Sequence, residues 1–206
     1  VKEKIGINPW VKIWTNPKEA IQKIITYKVN YGFNILCAIY GIVNLLNIFQ
    51  AASWGTSLSL PYILLLSIFL SWLFGYLIFS LLSFITYITG KILFGKGTYK
   101  QLRAALAWAH LPLFITLLTW IILLIVFKES LFQNFMVIGS FQTIVVFCIK
   151  IIQFILSIWS LVIYINALSQ VQQFSILKAI LNMIFAMIIL IGISYIGIWL
   201  NTYLYH

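Results

Sequence analysis

Five long, predominantly apolar stretches occupy most of the chain: Tyr31 to Ala51, Leu60 to Thr86, Ala104 to Phe127, Phe141 to Leu168 and Leu177 to Leu200. About 20 helical residues are enough to cross a hydrocarbon core of about 30 Å. Within such a core every backbone N–H and C=O must be satisfied by the protein itself, which leaves only helices or a closed barrel. The stretches lack the in-and-out alternation of barrel strands. The expected fold is therefore all-α: a polytopic transmembrane helix bundle of about five spans, read as a single domain over residues 1–206. Only 8% of residues are charged and 63% are hydrophobic, far too little charge to cover a soluble surface.

The charges that remain are one-sided. Thirteen Lys and Arg stand against three acidic residues, a formal charge of +10. Nucleic acid is excluded as the reason, because the bases sit in short segments between apolar runs, where juxtamembrane Lys and Arg belong. Lys2, Lys4, Lys12, Lys18, Lys23 and Lys28 precede the first run; Lys91, Lys96, Lys100 and Arg103 lie between the second and third; Lys178 follows the fourth. The first connection, Ala52 to Ser59, carries no charge, and the third only Lys128 beside Glu129. The positive-inside rule then predicts a cytoplasmic N-terminus and an external C-terminus, with Trp199, Tyr203 and Tyr205 at the outer interface.

The basic arm has structure of its own. Pro9, Trp10 and Trp14 lead to Asn16, Pro17 and Glu19, which read as N-cap, N1 and N3 of a helix. Ala20, Ile21, Ile24 and Ile25 share one face of it, predicting that this helix, part of a cytoplasmic basic arm over residues 1–30, lies in the headgroup region, anchored by Trp10 and Trp14. Thr98 and Gln101 repeat the capping pattern after a flexible Gly95-Lys96-Gly97 turn, before Tyr99. That turn lacks the spacing and the ending of a phosphate-binding loop.

Polar residues inside the runs mark candidate sites. Lys150 lies about ten residues into the fourth run, where an uncompensated Lys costs about 2.5–3.5 kcal/mol. Gln142, Lys150, Gln153, Ser157, Ser160 and Tyr164 recur mostly at three, four or seven residues and form one stripe, expected to face the bundle interior. Such a stripe serves either as a hydrogen-bonding seam between helices or as a path for an ion, a solute or a lipid headgroup. Pro112 predicts a kink or a locally opened turn in the third run, next to His110, at its cytoplasmic entrance. Ser67, Ser71 and Gly75 form a small-residue ridge for close helix approach, within the bundle or in a homodimer. Cys37 and Cys148 read as small buried residues.

No set of residues suited to catalysis can be assembled. The chain has no Asp; its acids, Glu3, Glu19 and Glu129, are scattered, and its histidines, His110 and His206, are predicted on opposite sides. Acid–His–Ser hydrolysis, two-Asp proteolysis and zinc or haem chemistry all lack their parts. The expectation is no enzyme, no metal and no cofactor.

The order and spacing of several short motifs resemble the Yip1-domain family of small five-span membrane proteins, in its bacterial branch. They are Asn8-Pro9-Trp10, Trp14 and Pro17 before the first run; Gly95, Gly97, Tyr99 and Leu102 leading to Ala109 and Pro112; and Trp159, Leu168, Ser175, Lys178 and Ala179 around the fourth connection. The resemblance implies a cytoplasmic N-terminus and a bacterial cytoplasmic membrane. Eukaryotic relatives are tied to small Rab-type GTPases, a role that a bacterial owner would not share. Two functions follow as expectations. One is a non-enzymatic membrane scaffold or accessory protein assisting a transport or envelope-maintenance complex. The other is a channel, transporter or lipid-handling protein with a polar cavity around Lys150. The expected partners are membrane lipids, anionic headgroups among them, and a membrane protein or a second copy of the chain.

Overall fold

The computed structural model describes residues 6–133 and 139–204. Lys2, Lys4, Tyr205 and His206, used above for sidedness and for the outer interface, lie outside them. The described residues form α1 (Pro9–Thr15), α2 (Pro17–Tyr27), α3 (Phe33–Ala51), α4 (Leu60–Ile92), α5 (Tyr99–Ala109), α6 (Leu113–Phe127), α7 (Ser140–Gln172) and α8 (Ile176–Leu204), with 3-10 turns at Trp54–Thr56 and Lys128–Phe132. Five stretches are long and apolar enough to cross a membrane: Phe33–Ala51, Leu60–Ile92, Leu113–Phe132, Ser140–Gln172 and Ile176–Ile196. The chain is thus an all-α, multi-pass membrane protein.

The third apolar run takes the opened-turn form at Pro112. It is not one continuous span from Ala104 to Phe127 but two helices, α5 and α6, separated at His110–Pro112. Pro112 has no N–H to continue the ladder, and the chain tightens into i to i+3 bonds, Leu111 N–H to Trp108 O at 3.1 Å and Leu113 N–H to His110 O at 3.0 Å. α5 is preceded by the capping box read from the sequence. Gln101 N–H donates to Thr98 Oγ1 at 3.4 Å and Thr98 N–H to Gln101 Oε1 at 3.0 Å. From Ala104 to Ala109 every residue is buried, as an all-round apolar helix must be.

The described residues divide into two compact units. The first comprises Val1–Val29, Ser80–Leu106 and Ile163–His206; the second comprises Asn30–Phe79 and Ala107–Val162.

In the first unit Asn16 caps α2 as expected. Its Oδ1 accepts the Glu19 N–H at 3.3 Å and its Nδ2 donates to Glu19 Oε2 at 3.0 Å. A further short helix, α1, precedes it, capped by Asn8, whose Oδ1 accepts the Trp10 N–H at 3.1 Å. Lys12 joins the two through Glu19 at 3.2 Å. The apolar face of α2 packs against protein. Ala20, Ile21 and Ile24 are fully buried, as is Ile13 of α1. Trp10 and Trp14 are half-buried.

The second unit holds a core of Val43, Leu46 and Phe49 on α3, Ile63 on α4, Trp120, Leu123 and Phe127 on α6, and Phe132. The ridge of Ser67, Ser71 and Gly75 is used here, against α3. A side chain at Gly75 would strike the Cys37 carbonyl, and one at Gly41 the Ser71 carbonyl. Ser67 and Ser71 are buried, and their hydroxyls donate back into their own helix, to Ile63 O at 2.8 Å and Ile68 O at 2.7 Å. Each hydroxyl is satisfied within its own helix, which leaves the ridge narrow enough for α3 to approach closely.

Candidate functional site

Two helix ends in the first unit build a buried polar cluster. α4 closes with a Schellman turn, Gly95 N–H donating to Gly90 O at 2.8 Å and Phe94 N–H to Lys91 O at 3.0 Å. α7 closes the same way, Phe174 N–H reaching Ser169 O at 2.9 Å. The left-handed position of such a turn is normally glycine. Here it is Phe94, with φ 62°, and Gln173, with φ 56°.

Gln172 ties the two turns together. Its backbone carbonyl accepts the Lys96 N–H at 3.2 Å and its side-chain Oε1 the Gly97 N–H at 3.0 Å. The glutamine is 1% exposed, and three glycines make room for it. A Cβ on Gly90, Gly95 or Gly97 would collide with the Gln172 side chain or, at Gly97, also with Val171. Beside it, Thr89 Oγ1 meets Asn182 Oδ1 of α8 at 2.6 Å, and Thr86 Oγ1 meets the Tyr164 hydroxyl at 3.0 Å.

Around this buried knot lies a cationic and aromatic rim. Lys91 Nζ donates to Gly95 O at 3.1 Å and stands 5.3 Å over the Tyr87 ring. Lys178 Nζ is 5.0 Å over Phe174 and 6.0 Å over Phe94. Arg103 stands 5.7 Å over Tyr99, whose hydroxyl donates to Ser80 O at 3.3 Å. Of the motif residues read at the start, Gly95, Gly97, Tyr99 and Lys178 therefore meet at this cluster. Pro9, Trp10, Trp14 and Pro17 build α1 and the start of α2 in the same unit.

The stripe on α7 is not one interior-facing line. Ile149, Leu156 and Ile163 are the buried row. Gln153 and Ser160, four residues on from it, fall 40° away and are partly buried; that angle, about 40°, follows from about 100° per residue. Lys150 and Ser157 follow the buried row by one residue, about 100° round the helix, and both are exposed. Gln153 Nε2 donates to Thr119 Oγ1 at 3.0 Å and Ser160 Oγ to Ala109 O at 2.8 Å, the carbonyl freed by the break before Pro112. Ser157 only bonds back to Phe154 O at 2.7 Å. Gln142 is half-buried near the start of the helix, and Tyr164 belongs to the first unit. His110 packs edge-on against Tyr40 at 5.2 Å and tilted on Phe79 at 5.5 Å, with Pro112 buried beside it in sequence. Cys37 is buried as expected, whereas Cys148 is exposed. Among the described residues no three His, Cys, Asp or Glu side chains converge as a metal site requires.

Gln172, Asn182, Thr86, Thr89 and Gly90 carry the cluster and were not singled out from sequence. A signal existed: Asn182 interrupts an apolar run, and an amide there needs a partner such as a Thr on a facing helix.

Five apolar membrane-crossing helices, with polar groups spent mainly on joining helix ends, define a polytopic helical membrane protein. Residues 11–198 match the model of the Yip1 domain. The chain belongs to the Yip1-domain family, whose members are non-catalytic membrane proteins, and it is not an enzyme. No curated protein and no solved structure matches it.

Proposed function

We propose that the chain is a non-enzymatic membrane scaffold or accessory subunit, assisting a transport or envelope-maintenance complex by binding a membrane-protein partner. The observation that carries this reading is the fate of the α7 stripe. A conducting or solute path around Lys150 needs the cation enclosed by other polar groups, yet Lys150 is exposed. Its stripe neighbours Gln153, Ser160 and Tyr164 are engaged in helix-to-helix hydrogen bonds. Meanwhile α7 and α8 leave broad apolar faces uncovered: 6% and 17% of their most apolar windows are buried, against 44% for α3. A membrane protein with so little of two spans packed by its own chain has surface to offer a partner or a second copy. The same reading takes the N-terminal arm as cytoplasmic and the membrane as a bacterial cytoplasmic one. The distribution of bases supports the first, and the resemblance to the bacterial branch supports the second.

Reconstitution separates scaffold from transporter. Purified chain in liposomes is expected to give no ion, solute or lipid flux above empty liposomes, and a stoichiometric membrane-protein partner is expected to copurify with wild type and with Lys150→Ala alike. A flux that Lys150→Ala abolishes would overturn the reading.

A further inference from the structure

The rim of the first unit carries a charge that the protein does not balance. Of the described bases, all but Lys128 and Lys150 fall in this unit. Its only described acid, Glu19, is already paired with Lys12. Lys178 is the least explained of the bases. It lies in the first turn of α8, which begins at Ile176 and has no acid there. That is the positive end of the helix dipole, where a cation is unfavourable and an anion is stabilised. Lys91, by contrast, is accounted for by the C-terminal turn of α4, whose Gly95 carbonyl it binds.

Phe94 is the second anomaly. It occupies a left-handed position that favours glycine, at φ 62°, and its side chain is 87% exposed. A bulky residue in that conformation is strained, and this one recovers little packing from its own chain. The ring sits at a turn between two apolar segments, with the Lys178 ammonium 6.0 Å from it. Lys96, two residues on, is exposed, and its backbone is fastened to Gln172. An exposed aromatic ring beside unpaired ammonium groups is the composition of a membrane-interface anchor, the ring entering the acyl boundary while the cations meet phosphate.

We propose that the Phe94 turn, with Lys178 and Lys96, binds the phosphate headgroup of an anionic phospholipid, Phe94 being inserted at the interface beside it. The buried Gln172 knot holds the two turns in register, so the site is preorganised. The proposal is independent of whether the chain is a scaffold or a transporter.

The test uses the full chain in neutral detergent, titrated with phosphatidylglycerol or phosphatidylcholine and followed by native mass spectrometry and thermal unfolding. Wild type is expected to retain phosphatidylglycerol in preference and to gain Tm from it. Lys178→Gln should weaken that retention about fivefold, from about 1 kcal/mol per interfacial base, and Lys178→Arg should restore it. Phe94→Gly is the decisive variant. Removing the strain should raise Tm in the absence of lipid, while phosphatidylglycerol retention falls. Equal retention of the two lipids, or preference unchanged in both Lys178→Gln and Phe94→Gly, would overturn the proposal. So would inorganic phosphate reproducing the full Tm gain, since the ligand would then be a free anion. A Phe94→Gly chain that loses Tm as well would assign the ring a packing role and overturn it too.

Discussion

The side-chain carbonyl of Gln172 accepts the backbone N–H of Gly97 at 3.0 Å, so a residue at the end of α7 fixes the turn that follows α4. Gln172→Ala should leave that buried N–H without its acceptor, costing about 1–3 kcal/mol. Gly95→Ala alone should cost a similar amount, about 1–3 kcal/mol, by forcing a methyl into the Gln172 amide. The two changes should not add. Once the glutamine is shortened the closest clash is gone and only the Gly90 carbonyl, at 2.9 Å, still crowds the methyl, so the double variant should be more stable than the sum implies by at least about 0.5 kcal/mol. Unfolding of all four forms in one detergent measures this coupling, and strict additivity would mean the glycine does not exist for the glutamine.

Glycines of the same type should behave oppositely on different helices. Gly41→Ala and Gly75→Ala each place a methyl against the backbone carbonyl of the facing helix, at Ser71 and Cys37. Backbone cannot step aside as a side chain can, so each should destabilise the second unit by about 1–3 kcal/mol or more. Gly192, on α8, has nothing near its Cβ position. Gly192→Ala should be neutral or stabilising, by up to about 1 kcal/mol from helix propensity. Thermal unfolding of the three single variants checks the contrast.

These glycines also indicate what could be read from the chain without coordinates. Apolar runs announce spans because the bilayer sets their length, and the caps at Asn16 and Thr98 are local, so both are legible along the sequence. The destination of an apolar face is not. Ala20, Ile21 and Ile24 have the same periodicity whether they meet lipid or protein, and only the fold turns them inward. The stripe on α7 misled for a related reason. Spacings of three, four and seven gather residues on a broad face, but one extra residue carries Lys150 and Ser157 past its edge. Gln172 escaped notice because its importance lies in three glycines far from it in sequence, and no periodicity links them.

Two serines on α7 provide a control of that distinction. Ser160 donates to Ala109 O at 2.8 Å, whereas Ser157 bonds only to Phe154 O of its own helix. Ser160→Ala should destabilise by about 0.6–1.7 kcal/mol, the range of interhelical hydrogen bonds in membranes. Ser157→Ala, at an exposed position, should stay within about 0.5 kcal/mol of wild type. Equal effects, measured by unfolding in micelles, would remove the Ser160 bond as the brace of the α5–α6 break.

Lys150 makes no hydrogen bond or ion pair with any described residue and is exposed on α7. The helix has 33 residues, about 50 Å of length at about 1.5 Å per residue, against a hydrocarbon core of about 30 Å. Lys150 lies about 15 Å from the start of the helix, and an overhang at that end would bring its ammonium within reach of an interface along its flexible stem. On that placement the fold does not require the cation. Lys150→Leu should leave the unfolding free energy within about 0.5 kcal/mol of wild type. It should also raise the membrane insertion of α7 in a glycosylation-mapping assay, by up to the about 2.5–3.5 kcal/mol assigned to a central lysine and by less the nearer it sits to the headgroups. Gln153→Leu should instead lose stability, because its bond to Thr119 goes with it. A Lys150→Leu chain that inserts normally but unfolds readily would mean that the lysine is held by the protein, and the exposed-face reading of α7 would fail.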